Sequence, residues 1–207
     1  MPDDEPVWGV ILAAGLSTRF PGGRAKQLLD FGGEPMVRRT AGNALGARLG
    51  GVIAVVGHRA AEVRAALAGL PVAIADNPDF AAGLSTSVRA GLARLPPEAA
   101  AALFLPADQP LAGPELLDRL IAAWRETGGP IVEPHFEGRR SSPVLFDRSL
   151  FEELAGLTGD VGGRVLAARH PERVVRVTLD DPTPLLDADS EEAYRRLLAS
   201  KGGTVGS

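Results

Sequence analysis

The chain has 207 residues, 45% of them hydrophobic and 23% charged, which suits one globular domain with a substantial core. A formal net charge of −4 excludes the broad basic face that non-specific nucleic-acid binding needs, and the absence of cysteine excludes disulfides, thiolate metal sites and cysteine nucleophiles. His58, His135 and His170 are too scattered for metal-ligand spacing.

The opening Met-Pro-Asp-Asp-Glu-Pro is the opposite of a basic signal-peptide start, and the longest apolar run, Ala99 to Ala107, is too short to span a bilayer. A cytoplasmic protein without membrane or nucleic-acid partners is the expectation. Val7 to Ala13 is nearly continuous in apolar residues and reads as a buried strand. Met36 to Arg48 reads as a helix, Val52 to Val56 as a strand, Ala60 to Ala68 as a helix and Val72 to Ala75 as a short strand. A helix over Leu84 to Leu95 is stopped by Pro96 and Pro97, and a strand over Ala101 to Leu105 follows. Pro114 starts a helix reaching Glu126, in a turn where its missing N–H costs nothing.

Ile131 to Glu133 and Pro143 to Phe146 read as strands joined by a polar connection. Helices near Ser149–Gly156 and Val161–Arg169, a strand over Val174 to Leu179 and a helix over Glu191 to Ala199 complete the body. Ser190 suits the N-cap of that last helix. The alternation predicts an α/β fold of three layers: a mainly parallel twisted sheet with helices on both faces, residues 1–200 forming a single domain and 201–207 a flexible tail. Ligands of such sheets bind at the carboxyl ends of the strands, here the loops after Ala13, Ala75 and Leu105.

The first of these loops runs Leu12-Ala13-Ala14-Gly15-Leu16-Ser17-Thr18-Arg19 and continues to Lys26. Its small residues let backbone N–H groups approach an anion, and Arg19 and Lys26 add charge suited to a triphosphate. Two of the 22 basic residues are lysine, and Lys201 lies in the tail, so Lys26 is a compact ammonium in a body that otherwise uses arginine. The segment carries neither the G-x-G-x-x-G of a dinucleotide fold nor a P-loop, and its residues alone also suit an ordinary strand–helix turn. In the second loop, Asp76-Asn77-Pro78-Asp79-Phe80 leads to Gly83-Leu84-Ser85, which serves either a ligand or a helix entry. In the third, Leu105-Pro106-Ala107-Asp108-Gln109-Pro110 sets a carboxylate past an apolar strand, placed to hold a hard cation or simply to form a turn.

Together, L-A-A-G-x-S-x-R with a following lysine, the N-x-x-(aromatic)-x-x-G segment and the D-x-P resemble the nucleotidyltransferases of MobA-like fold. These include the molybdenum-cofactor cytidylyl- and guanylyltransferases. The resemblance extends through Gly138-Arg139-Arg140-Ser141-Ser142-Pro143, Leu157-Thr158-Gly159-Asp160-Val161-Gly162-Gly163-Arg164 and Leu186-Asp187-Ala188-Asp189, from about residue 9 to 195. It implies that Leu12, Ala13, Ala14, Gly15 and Ser17 hold a nucleotide, that Arg19 and Lys26 bind its phosphates, and that Asp108 holds Mg²⁺. Asp76, Asn77 and Ser85 would meet the base and ribose or help place the acceptor. Asp187 is a candidate second metal ligand, and Asp189 reads rather as a cap of the last helix.

The implied reaction joins the nucleoside monophosphate of an NTP to a phosphorylated acceptor, with Lys26, Arg19 and Asp108 catalytic and pyrophosphate released. L-A-A-G points to CTP, and the family to a molybdopterin-type acceptor whose product passes to a molybdenum enzyme or its chaperone. Ser141-Ser142 stands where the cytidylyltransferases carry Gly-His. The competing readings are a transferase of the same fold acting on a sugar, polyol or phospho-acid phosphate, a non-catalytic molybdenum-cofactor binding or insertion protein, and an oxidoreductase.

Overall fold

A computed structural model of the chain describes residues 5–17 and 24–200; Arg19 and the 201–207 tail lie outside them. Strand β1, Val7–Ala13, is buried along almost its whole length because strands flank it on both edges and helices cover both faces. It pairs in parallel with β2, Gly51–Val56, on one side and β4, Ala101–Pro106, on the other, while β3, Ala73–Asp76, extends the parallel run beyond β2. The chain therefore leaves β1 in one direction and later returns on its other side. This reversal of strand order opens a crevice at the carboxyl ends of β1 and β4.

Helices α1, Met36–Leu45, and α2, Ala60–Leu67, pack on one face together with α4, Pro114–Thr127; Val37, Val63, Leu117 and Leu120 bury there against Ile11 and Leu103. Helix α3, Leu84–Arg94, covers the other face, joined by α5, Phe151–Ala155, and α6, Arg164–Arg169, through Val88, Leu154 and Leu166. Each such leucine withdrawn from water contributes about 2 kcal/mol. The three-layer expectation holds. Among the described residues no helix is long and apolar enough to cross a membrane.

The sheet continues through β7, Val144–Asp147, which runs antiparallel to both β4 and β5, Ile131–Phe136. β5 also pairs antiparallel with the short β6, Arg139–Arg140, and parallel with β8, Val174–Thr178. β5 is longer than its expected end at Glu133, because β8 accompanies it through Pro134 and His135. The helix expected from Val161 begins only at Arg164, after Gly162-Gly163, and the one expected to reach Arg48 ends at Leu45. The last helix, α7, Glu191–Ser200, is capped as the sequence suggests: Ala193 N donates to Ser190 Oγ at 3.1 Å. Leu197 and Ala188 bury against Leu29, Phe31 and Met36, which draws the 187–189 segment over the region that follows the first loop.

Candidate active site

A cleft of about 620 Å³ lies at the carboxyl ends of β1 and β4. Leu12, Ala14, Gly15 and Ser17 line it from the first loop, Lys26 and Asp108 from the elements beside it. Ser17 holds a left-handed backbone conformation, φ 55°, and its hydroxyl fixes the loop: Oγ accepts from Lys26 N at 3.0 Å and donates to Gln27 Oε1 at 3.2 Å. Gln27 Nε2 in turn donates to Ala13 O at 3.2 Å. Buried Gln27 thus clamps the loop from behind, a role its neighbour Lys26 did not suggest from sequence.

Lys26 Nζ reaches Asp108 Oδ2 and, at 2.7 Å, Asp189 Oδ1. Asp108 is only 6% exposed, so its carboxylate depends on that ammonium. Burial alone lowers the Lys26 pKa, but the Asp108 and Asp189 carboxylates outweigh it and hold the pKa above the usual lysine value. Asp187 also lines the cleft, and its pKa is raised, first by burial and then by the charges of Asp189 and Asp108. Asp189 differs from its expectation: Ser190 takes the cap, and Asp189 turns to Lys26.

Among the described residues no three Asp, Glu or His side chains form a ready cage for a metal ion. A divalent cation such as Mg²⁺ takes one or two carboxylates and completes its octahedron with water and substrate phosphates. The hard oxygens of Asp108 and Asp187, whose charges repel each other, fit such an ion.

The 77–85 segment and the 157–164 segment interlock on the opposite wall. Gly83 has φ 110°, and a Cβ there would stand 2.5 Å from Gly159 C and O. Ser85 N donates to Gly159 O at 3.2 Å, and Leu84 N to Asp160 Oδ1 at 3.3 Å. Gly163 lies so close under the Phe146 ring that a side chain there would collide with it. Its neighbour Arg164 faces the cleft and donates from Nη2 to Ser142 Oγ at 2.9 Å.

Asn77 is buried and donates to Thr86 Oγ1 and Ser87 Oγ, tying β3 to α3. Ser85 is buried beside it, and Ala13 lies one step behind the lining. Asp76 pairs with Arg64 of α2 at the surface. None of these four is among the residues that line the cleft. Lys26, Asp108, Asp187 and the 12–17 loop are brought together as the sequence implied.

A family model described as the MobA-like NTP transferase domain matches residues 9–174. The chain is 30% identical over 200 residues to nicotine blue oxidoreductase of Paenarthrobacter nicotinovorans, which covers 93% of this chain and 96% of that protein. It is 33% identical over 172 residues to the bifunctional protein GlmU of Sorangium cellulosum, covering 80% of this chain but only 34% of that longer protein. The crystal structure of Rv0371c from Mycobacterium tuberculosis H37Rv aligns with a TM-score of 0.78 and 33% identity over 94% of this chain and 98% of that one. Rv0371c has also been crystallised in complex with manganese. The matched span runs from within β1 to the start of β8 and leaves out Asp187 and Asp189 of the cleft lining: the chain belongs to the MobA-like NTP transferase domain family.

Proposed function

We propose that the chain transfers CMP from CTP to a phosphorylated acceptor of molybdopterin type, with Mg²⁺ held by Asp108 and Asp187. The observation that carries this reading is the Lys26 ammonium set between Asp108 and Asp189 beside the small-residue loop after β1. The acceptor's phosphate oxygen attacks the α-phosphorus, the bond from that phosphorus to the bridging oxygen breaks, and pyrophosphate leaves. Little covalent work falls to the protein, so positioning and charge stabilisation dominate. Leu12, Ala14, Gly15 and Ser17 seat the nucleotide, while Lys26 and Arg19 offset charge on the α-phosphate and the departing pyrophosphate. Asn77, Ser85 and Ala13 support the nucleotide from behind the lining, and Asp76 stands further out. Arg164 and Ser142 face the space left for the acceptor's phosphate. When bound, Mg²⁺ supplies Lewis-acid neutralisation of the phosphate oxygens. The reading places the reaction in the cytoplasm and its product with a molybdenum enzyme or its chaperone.

The test is pyrophosphate release across the four NTPs, each offered with a molybdopterin-type acceptor and with sugar, polyol and phospho-acid phosphates. CTP with the molybdopterin-type acceptor is expected to exceed the other pairs by tenfold or more. Faster release with another NTP or acceptor corrects the substrate; none with any pair overturns the transfer. A second reading, an oxidoreductase, is favoured by the full-length likeness to nicotine blue oxidoreductase. It requires NAD(P)H consumption, for which the chain carries no dinucleotide fingerprint.

A further inference from the structure

A second cavity, of about 280 Å³, lies against the face of β5 that α6 covers. Alternation along β5 sends Val132 to one core and sets Glu133 and His135 together on the opposite face. Parallel pairing places Arg176 of β8 beside Glu133, and antiparallel pairing places Arg140 of β6 beside His135. All four line the cavity, with Ala167 and Pro171 supplying an apolar wall.

Glu133 is 2% exposed. Its Oε1 lies 2.9 Å from His135 Nε2, whereas Oε2 is buried and makes no hydrogen bond. A carboxylate only accepts, so the imidazole donates and orients the group. A buried carboxylate oxygen left unmet is costly, and the natural complement is an N–H donor. The remaining capacity of Oε1 beside the free Oε2 matches two adjacent donors, such as the amino and ring N–H of a 2-amino-4-oxo heterocycle. The apolar wall suits the flat ring. Arg140 and Arg176 suit an anionic substituent.

The 138–142 segment and α6 contribute to both cavities, Ser142 and Arg164 to the cleft, Arg140 and Ala167 to this one. We propose that the second cavity binds the 2-amino-4-oxo ring of the acceptor through Glu133, while the acceptor's phosphate extends to Arg164 and Ser142 in the cleft. The proposal rests on the acceptor assigned above and adds the group that recognises it.

The test uses the whole chain and a fluorescent probe, pterin-6-carboxylate, with lumazine-6-carboxylate as the analogue whose 2-amino group is replaced by oxygen. Quenching is expected to saturate with the pterin, to be at least tenfold weaker with the lumazine, and to persist at saturating CTP. Glu133→Gln is expected to weaken pterin binding at least tenfold with an unchanged melting temperature. Equal affinity for the two probes in the wild type overturns the proposal without any variant, as does displacement of the pterin by CTP, which would put the ring in the main cleft. Pterin binding of this pattern without pyrophosphate release from any NTP supports the cavity and overturns the transferase reading. Pyrophosphate release with no pterin binding overturns the cavity alone.

Discussion

The two sides of the cleft are built differently. On the β1 side the groups that matter come from short contiguous stretches: the 12–17 loop ends one strand, Asp108 follows another, and Lys26 and Gln27 are neighbours. On the far side they are assembled from separate segments: Gly83 against Gly159, and Ser142 against Arg164. A parallel strand delivers its loop to the ligand by itself, whereas the second wall exists only once the antiparallel β7 has brought α6 and the 138–142 segment beside β4.

Three substitutions bear on that contrast. Asp108→Asn is expected to reduce pyrophosphate release by about 10²-fold or more, by analogy with removing one preorganised charge-stabilising group. Near-normal turnover with an unchanged circular dichroism spectrum would remove the β4 end from the chemistry. Gly83→Ala is expected to lower the melting temperature by about 8 °C, the combined cost of a positive φ and a backbone collision worth about 3 kcal/mol. A melting temperature within a degree of wild type would mean that the two motifs are not truly interlocked. The smallest effect belongs to Asp76→Ala, expected to leave turnover within about twofold, because an exposed ion pair with Arg64 contributes little. A tenfold loss there would move the end of β3 into the nucleotide site.

The same contrast governs what could be read before the fold was in view. Periodicity located β1, α3 and α4 because each is a local pattern, and the apolar strand running into small residues pointed to the cleft. The antiparallel course of β7 leaves no such mark, since the short apolar run Val144-Leu145-Phe146 reads alike in either direction. Asp189 read as a cap because Asp and Ser are both good N-cap residues, and only the burial of Ala188 and Leu197 decides which of the two faces Lys26. Gln27 carries no signal in the sequence, because a clamp is defined by the carbonyls it meets, not by its own spacing. Asp76 is a carboxylate at a strand end, yet Arg64 of the preceding helix claims it.

The grip of Lys26 on Asp108 and Asp189 sets terms for the order of binding. On the proposed reading, a cation that takes up Asp108 loosens the ammonium for a phosphate. A phosphate that draws Lys26 away likewise bares the carboxylate for a cation. Metal and nucleotide then strengthen one another's binding by the same factor, a reciprocity that thermodynamics requires whichever arrives first. Measured separately, each would appear a weaker ligand than it is in the other's company.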